Sequence, residues 1–95
     1  MTKRQDAIDA VLERDEACFD CGGPIGELHH ICGRSKFGKN TKALCWQEKN
    51  MIMLCAQHHR GNPGAHTYAA RVRHLLKLQE LYGYDYSDGP WSEYV

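Results

Sequence analysis

Apolar residues recur along this 95-residue chain with different rhythms, and each rhythm predicts a different kind of element. Near the start, Ala7, Ile8, Val11 and Leu12 fall at the three-and-four spacing of one helix face, and Thr2 followed by Gln5 has the form of a capping box. A short amphipathic helix over about 3–15 is expected. The stretch CFDCGGPIG has no period; two cysteines and the turn formers Gly22, Gly23, Pro24 and Gly26 predict a tight knuckle. ELHHIC at 27–32 and MIML at 51–54 are short apolar runs with the character of strands. Between them lies a polar loop, and after them CAQHHR is cut by Gly61-Asn62-Pro63-Gly64, so any helix there is a turn or two long. A final helix over about 65–82 is expected to carry Tyr68, Val72, Leu75, Leu78 and Tyr82 on its apolar stripe. Arg71, His74 and Lys77 sit largely off that stripe, with His74 facing solvent, and Gly83 is a natural C-cap. The tail YDYSDGPWSEYV has no clear period, and its pattern does not choose between packing back, meeting a partner and staying loose.

Composition narrows the class. A chain this short has surface for one core, and 42% hydrophobic residues with balanced charge, 12 basic against 12 acidic, fit neither a disordered tail nor a membrane span. MTKRQDAIDA lacks the apolar centre of a signal peptide, so the expected location is a reducing cytoplasm with no membrane partner. The charge is uneven: residues 18–82 hold nine basic and four acidic side chains, while both ends are acidic. A polyanion is therefore attracted to the centre, weakly.

Five cysteines cannot all pair and are too few for a disulfide scaffold, so thiols in such a compartment read as metal ligands. Cys18 and Cys21 have the spacing at which two thiolates of one turn reach a tetrahedral Zn²⁺, and Cys55 with His58 can supply the remaining two ligands. A CxxC redox pair is the alternative, but the βαβ setting of that motif is missing. Buried unliganded thiols fit poorly in so polar a knuckle. Cys32 and Cys45 read as small core residues, either of which is an alternative ligand, and His58 and His59 are able to exchange roles.

Interleaved with this pattern are the doubled His29-His30, Asn50 five residues before Cys55, and His59 directly after the last knuckle ligand. In that order, GELHHICGRS, EKNMIMLC and AQHH resemble the HNH endonucleases, the ββα-metal or His-Me finger nucleases; HRGNPGAH and HLLKLQELYG also look like small phage nucleases associated with recombination. The resemblance implies an α+β fold: a small zinc-stabilised, treble-clef-like ββα-metal HNH domain, with core at 18–60, flanking N- and C-terminal helices, and an acidic aromatic tail from 83. It implies His30 as general base, His29 and His59 as ligands of a catalytic divalent cation (Mn²⁺, Ni²⁺, Co²⁺ or Mg²⁺), and Asn50 as the residue that fixes the loop carrying His30. Many relatives carry Asp where this chain has His29. His66 is a candidate third ligand or phosphate contact, with a surface position in the first helical turn as the alternative. Because successive strand residues face opposite ways, His29 and His30 can share a site only where the strand ends or bulges.

Arg34, Lys36, Lys39 and Lys42 suit phosphate contacts that position a backbone without reading bases. The resemblance implies DNA as the partner, in a bacterial or phage-infected cell, while the sequence alone does not exclude RNA; a protein partner or homodimer is the means of directing specificity. The competing class is a non-catalytic zinc module that binds nucleic acid or protein.

Overall fold

The computed structural model describes residues 3–61 and 64–95; Thr2 of the expected capping box, and Asn62 and Pro63 of the expected break, lie outside them. Helix α1 spans Lys3–Arg14, strand β1 Glu27–His30, strand β2 Met51–Leu54, helix α2 Ala56–Arg60 and helix α3 Tyr68–Tyr82, with short 3₁₀ turns in the β1–β2 loop and in the tail. This is a small α+β protein around a two-stranded antiparallel sheet. No helix among the described residues is long and apolar enough to cross a membrane.

All four residues of β2 are buried, because each of its faces meets a different layer. Met51 and Met53 pack with Val11, Ala7 and Ile8 on the α1 side. Ile52 and Leu54 point the other way, into a cluster with Ile31, Phe37, Leu75, Leu78, Tyr86 and Trp91. The free edge of β2 is also covered. The Met53 N–H donates to the Asp15 carboxylate at 3.1 Å, Arg14 donates to the Met51 carbonyl at 2.6 Å, and Phe19 N–H donates to the Met53 carbonyl at 2.9 Å. Those bonds leave little of the edge for another chain.

Helix α3 begins three residues later than the apolar pattern predicts, because Thr67 caps it: its hydroxyl oxygen accepts from Ala70 N–H at 3.1 Å. Gly83, at φ 70°, closes it in the left-handed region. The buried face is turned from the expected stripe. Ala70, His74, Leu75 and Leu78 face inward, whereas Tyr68 and Tyr82 are 62% and 45% exposed. His74, expected in solvent, is fully buried, because Asp20 supplies the hydrogen-bond partner that a buried imidazole requires.

The tail packs back. Tyr86, Trp91 and Tyr94 are buried, and the Trp91 indole N–H donates to Asn50 Oδ1 at 2.9 Å. The same Oδ1 accepts from Cys32 N–H at 3.0 Å, while Asn50 Nδ2 donates to the carbonyls of Cys32 and Cys45, both at 3.0 Å. One fully buried amide thus ties the chain just past β1, the β1–β2 loop and the tail. Asn50→Ala strands buried backbone and indole groups, and is expected to destabilise the fold by about 3–4 kcal/mol. A thermal melt should show the midpoint falling by roughly 15 °C or more; an unchanged midpoint would show that these bonds are replaceable.

Candidate metal centres and the cleft beside them

The knuckle brings Cys18 and Cys21 to one side of β1, and the turn from β2 into α2 brings Cys55 and His58 to the same place. Their four ligand atoms all lie within 4.8 Å of one another. Cys21 Sγ and Cys55 Sγ are 3.8 Å apart, close to the edge of a tetrahedron with metal–sulfur bonds of about 2.3 Å. The Cys55 Sγ to His58 Nδ1 separation is shorter, at 3.1 Å. This cluster can hold a metal ion, and three sulfurs with one imidazole are compatible with structural zinc. Burial opposes ionisation of Cys18, but backbone N–H groups of Cys55, Cys21 and Asp20 outweigh it and hold the thiol below its ordinary value, toward the thiolate a metal binds. Cys32 and Cys45 belong to neither metal cluster among the described residues; both are buried in the core, and burial pushes the Cys32 thiol up to about 11.

A second cluster consists of His29, His59 and His66, again with ligand atoms within 4.8 Å of one another. His58 and His59 therefore divide between the two centres, and His66 joins the second. Register explains the placement. His29 pairs with Ile52 and faces α3, and Glu27, paired with Leu54, shares that face two residues earlier. Glu27 Oε1 lies 3.0 Å from His59 Nδ1, which leaves Nε2 as the ligand nitrogen, and its other oxygen accepts from Arg60. Hydrogen bonding from His59, then Arg60, holds the Glu27 carboxyl below the usual carboxylate range. A carboxylate on the outer nitrogen fixes the tautomer and ring direction of a metal-binding imidazole.

His29 is almost completely buried, and burial, reinforced by His59, His66, His74 and His30, lowers its pKa to about 3. It is therefore neutral, the form that ligates metal. Its Nε2 is buried without a hydrogen-bond partner among the described residues, as are His30 Nε2 and His74 Nδ1. An unpaired buried nitrogen is unfavourable by about 1–3 kcal/mol, which a bound cation at His29 would offset. The residues thus fit a divalent metal, and an all-imidazole set suits borderline metals better than Mg²⁺.

His30, the last residue of β1, pairs with Met51 and faces α1, where its ring meets Trp46 edge-on at 4.4 Å between centroids. The strand ends there without a bulge, and a cleft of about 260 Å³ is nevertheless lined by both His29 and His30, with His59, His66, Arg34 and Arg71. Burial, then Arg34 and Arg4, lowers the His30 pKa. Asn50 bonds the backbone two residues past His30 through Cys32 and stays out of the cleft.

The basic loop divides. Arg34 lines this cleft and its neighbour, and Lys42 lines only the neighbour. Lys39 is exposed, and Lys36 turns to Glu93 of the tail at 3.9 Å. Glu27, Asp20, Arg71, Arg4 and Trp46 escape a reading of the sequence. Glu27 alone has a local signal there, its period-two spacing from His29. Asp20 sits between the knuckle cysteines and receives His74 Nε2 at 2.8 Å, joining α3 to the first centre. Comparison with protein-family models, curated proteins and solved structures finds no match for this chain.

Proposed function

We propose that this chain is a metal-dependent endonuclease of the HNH, ββα-metal type, hydrolysing DNA phosphodiester bonds to 5′-phosphate and 3′-hydroxyl with little intrinsic sequence preference. The observation that carries the reading is the His29–His59–His66 cluster opening into one cleft with His30 and two arginines. Zinc at Cys18, Cys21, Cys55 and His58 holds the scaffold. A divalent cation at the histidine cluster supplies the positive charge that offsets charge building on the phosphate and the leaving oxygen. His30, neutral near pH 7, accepts the proton of the attacking water. Arg34 and Arg71 bind the phosphate oxygens, and Glu27 holds His59 in place. RNA is the alternative polymer, and a protein partner or second copy would direct specificity. A non-catalytic zinc module is the weaker reading, because folding around the cysteine site requires neither the second cluster nor the buried, unpaired nitrogen of His29.

Relaxation of supercoiled plasmid tests the reading, with Mn²⁺, Co²⁺, Ni²⁺ or Mg²⁺ added to folded, zinc-loaded protein. Nicking is expected, faster with Ni²⁺ or Mn²⁺ than with Mg²⁺; intact plasmid under all four ions rejects it. His29→Asp adds an oxygen ligand and a negative charge, so the Mg²⁺ to Ni²⁺ rate ratio should rise severalfold. An unchanged ratio in a folded, active variant would remove His29 from the ligand set.

A further inference from the structure

On the α1 side of His30 lies a larger cleft, about 670 Å³, whose lining includes Arg4, Arg34, Lys42, Phe37 and Trp46. Every charged group on its wall is a cation. Four cations elsewhere meet carboxylates: Arg60 with Glu27, Arg73 with Asp20, Lys49 with Asp88, Lys36 with Glu93. Arg4, Arg34 and Lys42 have no ion-pair partner among the described residues, so three cations without a carboxylate line one cleft with an aromatic ring. The Arg4 guanidinium stands 4.1 Å above the Trp46 ring and that of Arg34 5.8 Å. Trp46 is half-buried, wedged between the two cores, and its ring also meets His30. Arg34 lines this cleft and the histidine cleft alike, so the two adjoin.

We propose that this cleft binds an unpaired deoxynucleotide next to the scissile phosphodiester, its base against the Trp46 ring and its phosphate on Arg4, Arg34 and Lys42. The proposal rests on the nuclease reading and names its substrate class: DNA with a single-stranded or extruded nucleotide at the cut. Phosphate contacts alone require only cations, as on any duplex binder. An indole ring inside the cationic cleft adds a stacking surface, and a base offers its face to one only when it is out of the helical stack. The guanidiniums now over the ring are flexible exposed side chains, and binding moves them from the indole to the phosphate, exchanging a cation–π contact for a charge-assisted hydrogen bond.

Tryptophan fluorescence of the zinc-loaded 95-residue chain carrying His30→Ala tests this without cleavage. The second tryptophan, Trp91, is fully buried and bonded to Asn50, so a change on binding reports Trp46. Titration with a 12-nucleotide oligothymidylate should quench emission, with affinity about tenfold or more above that for a duplex of equal length, and Arg4→Ala should weaken binding about five- to tenfold. Trp46→Ala should weaken it about tenfold or more, and Trp46→Phe, which keeps a ring in the core, should retain most of the affinity. Equal affinity for duplex and oligothymidylate overturns the proposal, as does full affinity in Arg4→Ala and Trp46→Ala. Plasmid nicking by the wild type separates the two readings. Nicking without quenching leaves the nuclease and removes this subsite; quenching and the Arg4→Ala loss without nicking under any metal leave the nucleotide site and remove the catalysis.

Discussion

Stripping the metal from Cys18, Cys21, Cys55 and His58 is expected to abolish the cooperative thermal transition. The site joins two segments far apart in the chain. Its ligands come from the knuckle before β1 and the turn after β2, and the sheet between them has only four residue pairs. Apparent binding energies of structural zinc run to about 10 kcal/mol or more, comparable with the whole stability of a domain of this size. Without the ion, no metal bond ties the knuckle to the turn after β2, and Asp20, which anchors His74 of α3, loses the knuckle that positions it. Loss then spreads from the site into the α3 side of the core. Elemental analysis should find one tightly held zinc per chain, and circular dichroism after chelation should show a broad, low-amplitude melt. Cys21→Ser, at the exposed corner, should act in the same direction with partial metal retention. A metal-free protein melting at the wild-type midpoint would sink the account.

His30→Ala is expected to reduce cleavage by about 10²–10⁴-fold while zinc content and DNA affinity stay near wild type. A base removed from the attacking water raises the transition state and hardly affects the bound ground state. The ring meets Trp46 on the face of β1 opposite His29 and belongs to neither metal cluster, so its deletion leaves both clusters and the Asn50 network in place. The pH profile adds a second readout. Burial, then Arg34 and Arg4, disfavours the protonated imidazole, so the His30 pKa lies below its ordinary value of about 6.5. The neutral, active form therefore extends further to acid: wild-type rate should climb with pH below about 6.5 and be flat from there to about 8. A limb centred above about 7, or a substantially active His30→Ala protein, would place the base on another group.

Much of this was legible along the chain, because it depends on residues close in sequence. Two cysteines three apart in a glycine-rich turn converge wherever that turn goes, and Cys55 and His58 do the same at the start of a helix. The four β2 residues form one unbroken apolar run, and the period of β1 places His29 on one face and His30 on the other. Local capping decided the ends of α3, although the pattern missed Thr67 and began the helix too early. What no local pattern carries is which distant groups meet. Helical spacing gave α3 a stripe from Tyr68 to Tyr82, of which Leu75 and Leu78 are buried, yet the buried face turns from the two tyrosines to take in Ala70 and His74, since Asp20, fifty-four residues away, satisfies His74 inside the core. Trp91 makes the tail a core element by donating to Asn50 forty-one residues earlier, and Arg4 joins the basic loop only because α1 packs beside Trp46. Burial of a polar group is favourable only when its partner arrives with it, and a partner from a distant segment is chosen by the packed layers as a whole. The sequence by itself determined the four residues that gather in the first cluster and the two strands; the tertiary structure decided the third histidine of the second cluster, the carboxylate behind His59 and the cleft around Trp46, because each requires side chains that only the closed fold brings within reach.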